Sequence, residues 1–239
     1  SILYTWDPYN DPSIIKLDGE LRWKDLVPGS TLREELDEAL PALLITANTA
    51  AELARQAAAM QVPLLHKPAG TECSQKPSTW PSIYTLLPAP LRQRPQKGAV
   101  QGVQAVGRLD QDTTGMLLLT DDGAFIHRMS SPKKHVPKVY EVTAKHPVTQ
   151  AMLDQLLAGV VLDDDPKPVK AAACEAVAEL HLRLTLTEGK YHQVKRMVAA
   201  VGNRVEGLHR SQIGGLVLGD LAPGQWRFLT ADDLALLKP

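Results

Sequence analysis

The alternation of apolar and polar residues predicts a series of short strands and helices over most of the chain. Residues 181–189 (HLRLTLTEG) place leucines on one side and Arg or Thr on the other, as in a strand with one face in water. The apolar run 115–120 and the alternating run 139–144 predict two more strands. Shorter apolar runs predict strands at 41–46, 62–65, 215–218 and 226–229. Helical composition or periodicity predicts helices at 51–60, 149–158 and 231–237 and one that begins after Gly189.

Proline and glycine positions separate these elements. Residues 1–40 are irregular, and six prolines between 68 and 95 predict loops and turns there. Because strands come in pairs with helices between them, the chain is predicted to be an α+β protein with an antiparallel sheet.

Composition indicates an ordinary globular protein. Hydrophobic residues make up 44% of the 239 positions and charged residues 22%. No apolar run reaches the ~20 residues of a membrane-spanning helix, and the N-terminus lacks the pattern of a secretory signal. Cys73 and Cys174 are isolated and form no metal or disulfide pattern. We therefore expect a cytoplasmic protein without a metal site.

Basic charge is concentrated in two segments. Residues 1–60 hold ten acidic and five basic residues, whereas residues 61–239 hold 17 acidic and 21 basic ones. Residues 127–145 carry five basic residues against one acidic residue, and residues 183–210 carry six against two. Local basic patches favour phosphate binding even when the net charge of the chain is -1. Solvated faces explain the same pattern, so charge alone leaves a nucleic-acid partner open.

A loop rich in polar residues precedes the strand at 115–120. Its sequence is GRLDQDTTG (107–115), and Asp110 lies where a buried strand can hold it at the edge of a cleft. Arg108 is suited to hold the loop or meet a phosphate, and Thr113 to hydrogen-bond the loop backbone. An Asp-containing turn joined to a strand is the simpler interpretation on base rates.

Two further segments place cations beside apolar surfaces. Lys138 and Tyr140 share one face of a predicted strand. This arrangement suits a nucleotide whose base stacks on the tyrosine ring and whose phosphate lies near the lysine. The alternative is a tyrosine whose ring packs in the core. On the helix after Gly189, Lys195 lies at the edge of the apolar stripe and can reach a partly buried carboxylate. Arg196 points outward, toward solvent or RNA phosphate.

Five blocks of the chain together resemble the RsuA-type (RsuA/RluB/E/F) family of ribosomal RNA pseudouridine synthases. They follow the family's order and spacing over about residues 62–239, and the resemblance is greatest to members that act on small-subunit rRNA. The blocks are LLHKPAGTECS (64–74), GRLDQDTTGMLLLTDDG (107–123), SPKKHVPKVYEVTA (131–144), EGKYHQVKRMVAAVGNRVEGLHRSQIGGL (188–216) and DLAPGQWRFLT (220–230).

The resemblance implies a fold and an activity. The fold is the pseudouridine synthase catalytic domain at 61–239, a largely antiparallel mixed sheet flanked by helices. The activity is isomerisation of a flipped uridine in rRNA, without metal or cofactor, by a monomer in the cytoplasm. Both routes of the reaction stay open: attack of a carboxylate on C1′, or removal of the 2′ proton.

The resemblance also implies roles for individual residues. Asp110 is the essential catalytic carboxylate, Lys195 its ion-pair partner and Tyr140 the ring that stacks on the target uracil. Leu184 or Leu186 lines the uracil pocket. The catalytic loop contributes Arg108 and Thr113 to handling of the nucleotide. Contacts with RNA are expected, mainly from charge, at Lys133, Lys134, Lys138, Arg196 and Arg210.

Residues 1–60 do not resemble the small basic S4 domain with which this family usually begins. Residues 41–68 instead resemble the last β-α-β part of a response-regulator receiver domain, so Lys67 and Pro68 fit either origin. A phosphorelay protein is therefore one alternative. A non-catalytic RNA-binding protein on the same scaffold is another, and the presence of Asp110, Tyr140 and Lys195 argues against it.

Overall fold

The computed structural model describes residues 62–92, 95–96, 99–100, 102–131, 134–163 and 165–237. In chain order, the strands within these ranges are β1 Pro63–Lys67, β2 Pro95–Gln96, β3 Ala99–Val100, β4 Gln104–Ala105, β5 Thr114–Thr120, β6 Lys138–Ala144, β7 Val160–Leu162, β8 Asp165–Val169, β9 Ala173–Ala178, β10 His181–Leu186, β11 Val205–Ile213, β12 Leu216–Val217 and β13 Trp226–Phe228. The helices are α1 Ala89–Arg92, α2 Gly123–Ser130, α3 Gln150–Ala158, α4 Gln193–Ala200 and α5 Ala231–Leu236, with a 3-10 helix at Ile83–Leu86.

A mixed, mostly antiparallel sheet organises the described part of the chain. Its order is β13-β1-β5-β11-β6-β10-β9, with β4 on β5 and β12 on β11. Among the described strands, β5 and β11 form the parallel pair, and the other neighbours are antiparallel. The predicted α+β fold with a largely antiparallel mixed sheet is confirmed.

The helices begin where short polar side chains cap them. Thr149 accepts a hydrogen bond from the Met152 backbone N–H at the start of α3, and Thr230 accepts one from Asp233 at the start of α5. The predicted helices at 149–158 and 231–237 are confirmed with boundaries shifted by about one residue. The predicted strand and helix at 41–46 and 51–60 lie outside the described residues.

Several elements had no clear sequence signal. Most residues of the edge strand β9 are exposed, so its sequence shows no alternation of apolar and polar positions. In β11 most side chains are partly buried, and polar residues predominate. The helix α2 follows the turn DDG, where Asp122 accepts hydrogen bonds from two backbone N–H groups. None of the described helices has the length and apolar character that crossing a membrane requires.

One row of paired residues crosses the middle of the sheet and ends below the loop 107–113. Residues that pair directly across neighbouring strands point to the same face. The row is Lys67, Gly115, Arg210, Tyr140 and Leu184. Gly115 has φ +112°, and a Cβ there would collide with the backbone of Arg210. Glycine at this position therefore lets β5 and β11 approach each other in the centre of the row.

The hydrophobic core is divided between the two faces of the sheet. On the face of the row, Leu109, Tyr140 and Leu184 belong to a buried cluster with the apolar side of α4. On the opposite face, Met116 and Phe125 belong to a second cluster. The loop that contains Asp110 is thus attached, through Leu109, to the same apolar layer as α4.

Candidate active site

The carboxylate of Asp110 lies between two nitrogen-bearing side chains of the segment that starts α4. The Lys195 Nζ is 3.0 Å from Asp110 Oδ2, and the His192 Nε2 is 3.1 Å from Asp110 Oδ1. The Asp110 side chain is 30% exposed, so the group is partly desolvated but still reachable from outside. A cation at this distance stabilises the charged form of a carboxylate, more strongly where water is partly excluded.

Asp112 provides a second carboxylate that pairs with Lys195. Lys195 Nζ donates to Asp112 Oδ1 at 2.7 Å and to Oδ2 at 2.9 Å, closer than its contact with Asp110. Partial burial pulls the pKa of Lys195 down, but its hydrogen bonds to Asp112 and Asp110 outweigh burial and leave that pKa above its ordinary value. Lys195 therefore stays charged at neutral pH.

The start of α4 fixes the positions of both partners of Asp110. Val194 and Met197 are buried, and this stripe fixes the rotation of the helix and hence the direction of Lys195. Gln193 anchors the preceding turn because its side chain accepts from the Lys190 backbone N–H at 2.7 Å. His192 has left-handed backbone angles, φ 47° and ψ 33°, and makes no side-chain capping bond. Its ring instead faces Asp110.

Lys67 holds the Asp110 loop from the sheet side. The side chain is fully buried, and its Nζ donates to the carbonyls of Thr113 at 2.9 Å, Pro68 at 3.1 Å and Gln111 at 3.2 Å. Burial lowers the pKa of Lys67, against the opposing effects of Cys73 and the loop carboxylates. The loop is therefore held by two lysines: Lys67 on the sheet side and Lys195 in the first turn of α4.

A buried apolar cluster that includes an aromatic ring lies in the same layer as Leu109. Tyr140 is 8% exposed, and Leu184 and Leu186 are almost completely buried. All of them belong to the cluster that contains Leu109, the neighbour of Asp110. Burial of the Tyr140 ring is expected both for a wall of a base pocket and for a core tyrosine, so the two interpretations remain open.

Lys138 lies at one end of β6, half-buried. Its Nζ donates to the carbonyl of Val136 at 3.2 Å. Burial, and then the neighbouring charge of Arg210, lowers the pKa of Lys138 to about 8. This lysine therefore loses its proton far more easily than an ordinary surface lysine.

Arg210 and Thr113 do not lie where the sequence analysis expected them. Arg210 is 2% exposed, and its Nε donates to the carbonyl of Met116 at 2.9 Å. The register of β11 directs Arg210 into the central row and away from the protein surface, so its contact with RNA stays a prediction. Thr113 is 1% exposed and its hydroxyl has no partner, so the expected bond to the loop backbone is wrong. One Arg210 terminal nitrogen, Nη2, likewise has no partner in the described part of the chain.

The remaining expected RNA contacts differ in accessibility. Arg108 and Lys134 are exposed, whereas Arg196 is partly buried and donates from Nη1 to the carbonyl of Tyr191 at 3.2 Å. Lys133 lies outside the described residues. Arg108 and Lys134 are therefore the expected contacts that a polyanion can reach without rearrangement.

Sequence reasoning gave no role to three residues of this site, Lys67, Asp112 and His192. Asp112 follows Asp110 by two positions and His192 precedes Lys195 by three, so proximity to the motif residues was the available signal. Lys67 lies in the HKP block, but only the sheet register reveals that it reaches under the loop. The described residues contain no group of three or more side chains suited to hold a metal ion.

Comparisons of the sequence with protein families and with individual proteins all find pseudouridine synthases. The family described as RNA pseudouridylate synthase matches residues 61–200. The chain is 43% identical over 173 residues to "Ribosomal small subunit pseudouridine synthase A" of Escherichia coli (strain K12), with 72% of this chain and 71% of that protein covered. The protein of the same name from Haemophilus influenzae is 42% identical over 175 residues, with 73% and 72% covered.

A solved structure has a similar fold. It is described as "Crystal structure of pseudouridylate synthase" and is 41% identical in sequence, with a TM-score of 0.67. The similarity covers 74% of this chain and 73% of that one. Sequence and fold thus lead to the same family.

Replacing Lys67 by methionine tests its role beneath the loop. Methionine keeps most of the side-chain length but leaves three carbonyls without their donor, so we expect the free energy of unfolding to fall by about 2–4 kcal/mol. Urea denaturation measures this change. The exposed Lys76 offers a matched control, and Lys76→Met should change stability by less than about 0.5 kcal/mol. Unchanged stability of Lys67→Met would contradict the role.

Proposed function

The chain belongs to the RNA pseudouridylate synthase family, and we propose that it isomerises a specific uridine in small-subunit ribosomal RNA, with Asp110 as the essential carboxylate. As a member of this family it is an RNA pseudouridine synthase, an isomerase. The observation that carries the proposal is the Asp110 carboxylate, paired at 3.0 Å with Lys195 beside an apolar layer that contains Tyr140 and Leu184.

The reaction requires the target uridine to leave the RNA stack. An enzyme that acts on a base within a structured RNA extrudes the nucleotide into a pocket, at a cost of a few kcal/mol. The C1′–N1 bond then breaks, the uracil turns, and C5 bonds to C1′; C5 loses its proton and N1 gains one, so the composition is unchanged. The apolar cluster of Tyr140, Leu184 and Leu186 suits the flat, detached uracil because it excludes water during this rotation.

Asp110 acts on the sugar as a charged carboxylate. It either attacks C1′ to form a covalent intermediate or removes the 2′ proton, and both routes need an ionised oxygen. Lys195 stabilises that charge and fixes the orientation of the group. Because Lys195 also holds Asp112, its position does not depend on Asp110 alone.

Asp112 has a supporting role in this proposal. It is 56% exposed, against 30% for Asp110, and is therefore better hydrated and less suited to a step that needs partial desolvation. Partial burial raises the pKa of Asp112, but the hydrogen bond and charge of Lys195 outweigh burial and leave the pKa below its ordinary value. Asp112 thus remains an anion that keeps Lys195 protonated and in place.

Ribosomal RNA of the small subunit is the proposed substrate because the similar proteins are named for it. Arg108, Lys134 and Lys138 are the described residues that we assign to phosphate contacts, and the protein is proposed to act as a cytoplasmic monomer. Residues 61–239 are proposed to be the catalytic domain, and residues 1–60 a divergent N-terminal segment that does not resemble an S4 domain.

The two alternatives have less support. Lys67 and Pro68 fit either a receiver domain or this family in sequence, but Lys67 ends a strand of the central sheet and binds the Asp110 loop. A non-catalytic RNA-binding protein would have no need of the paired carboxylates and the lysine between them.

Asparagine at position 110 tests the catalytic assignment, and Asp112 provides the matched control. Asp110→Asn removes the charge with little change in shape, so we expect isomerisation to fall about a thousandfold or more, with RNA binding retained. Asp112→Asn should keep activity within about tenfold, because Lys195 still pairs with Asp110. Release of tritium from [5-³H]uridine in ribosomal RNA measures the rate. Normal turnover by Asp110→Asn, or equal losses in both variants, would contradict the assignment.

The lowered pKa of Lys138 predicts a pH dependence of RNA binding. A lysine with a pKa of about 8 is charged below that pH and neutral above it, so affinity should weaken several-fold between pH 7.5 and 9. Arginine keeps its charge over this range, so Lys138→Arg should bind RNA equally at both pH values. Filter binding or fluorescence anisotropy measures the dissociation constant. Identical pH profiles of the two proteins would exclude a phosphate contact by Lys138.

A further inference from the structure

Tyr191 exposes an aromatic ring next to the catalytic carboxylate. With 75% of its surface exposed, it is the most exposed large apolar side chain in the described ranges. It lies one residue before His192, whose Nε2 is 3.1 Å from Asp110 Oδ1. Large aromatic side chains gain most of their stabilising energy from burial. A ring left open at this place is therefore suited to a partner that arrives from solvent.

The ring of Tyr191 is stacked on the ring of His192. Their centroids are 3.7 Å apart and their planes differ by 23°. One face of Tyr191 is thus occupied, and His192 in turn contacts Asp110. Tyr191, His192 and Asp110 form a continuous series of contacts from solvent to the carboxylate.

The backbone holds this pair of rings in place. His192 adopts left-handed backbone angles, which a non-glycine residue adopts at some energetic cost and which recur at functional sites. Arg196 Nη1 donates to the carbonyl of Tyr191 at 3.2 Å, and Gln193 binds the preceding turn. A ring that is already ordered loses little entropy when a ligand stacks on it.

The charges around Tyr191 favour an anionic partner. Residues 188–196 carry three basic residues, of which Lys195 is paired with Asp110 and Asp112, and one acidic residue, Glu188, which accepts a hydrogen bond from Gln193. An exposed aromatic ring among cations is the arrangement that binds single-stranded nucleic acids, since bases stack on the ring and cations attract phosphates. The RNA substrate of this enzyme has both groups.

We propose that Tyr191 is a stacking platform for an unpaired base next to the target uridine, and that His192 is a positioning residue that links this platform to Asp110. The second half of the proposal rests on the proposed function, because it takes Asp110 as the catalytic group. An RNA base on the outer face of Tyr191 completes a three-layer stack with His192. That stack fixes the ring of His192 and, through Nε2, the orientation of the Asp110 carboxylate while the uridine is bound.

Variants at position 191 separate stacking from other roles. Tyr191→Ala removes the ring, so we expect the dissociation constant for ribosomal RNA and KM to rise about five- to a hundredfold. Tyr191→Phe keeps the ring and should stay within about twofold of the wild type. The control is Val177→Ala, which removes an exposed apolar side chain on the edge strand β9 and should leave binding unchanged.

A direct signal of stacking comes from RNA that carries 2-aminopurine beside the target uridine. Its fluorescence should be quenched on binding to the wild type and to Tyr191→Phe, and remain high with Tyr191→Ala at saturating protein. Wild-type affinity of Tyr191→Ala, or an equal loss in Tyr191→Phe, would overturn the platform. The dissociation constants and the fluorescence are measured with Asp110→Asn in every protein, including the reference with Tyr191, so they do not depend on whether Asp110 is catalytic; KM is measured with Asp110 intact.

His192 is tested by separating kcat from binding. His192→Ala should lower kcat about tenfold or more while the dissociation constant for RNA changes by less than about threefold. His192→Gln restores a donor of similar reach and should recover part of kcat. An unchanged kcat in His192→Ala would overturn the link to Asp110. A failure of the proposed function would instead appear as normal turnover by Asp110→Asn with the Tyr191 effects on binding intact.

Discussion

The contact between the Asp110 carboxylate and the Lys195 ammonium is the interaction on which the site depends. It joins the loop before β5 to the first turn of α4, two segments that are far apart in the chain. The sheet brings them together because Leu109 and the apolar side of α4 pack in one buried layer. Most of the energy that maintains this geometry therefore comes from apolar burial, and the ion pair supplies the orientation.

Charge at the site is balanced among a few groups rather than within one pair. Two carboxylates, Asp110 and Asp112, pair with Lys195, and Lys67 lies on the sheet side of the same loop with three backbone carbonyls around its Nζ. Partly buried charges are costly unless they have partners, and here Asp110, Lys195 and Lys67 each have two or more. These contacts hold the carboxylates of the loop and the two lysines in fixed positions relative to one another.

Local patterns in the sequence predicted much of the fold, and long-range register explains what they missed. The helical repeat predicted that Lys195 lies at the edge of a buried stripe, and strand alternation predicted that Leu184 and Leu186 share one face. Both patterns can be read from nearby positions in the sequence. Arg210 was expected to contact RNA mainly because of its charge, and only its pairing with Gly115 and Tyr140 reveals that its side chain is directed inward. The role of Lys67 likewise depends on a strand pairing that no local pattern contains.

The distance from the Asp110 carboxylate to the sugar of the target nucleotide tests this account most directly. A crystal structure of the enzyme with an RNA fragment that carries an unreactive analogue at the target uridine would give that distance. The account predicts an Asp110 oxygen within about 3.5 Å of C1′ or of the 2′ carbon, with the base against Tyr140. A bound nucleotide whose sugar lies beyond the reach of Asp110, or whose base lies away from Tyr140, would contradict it.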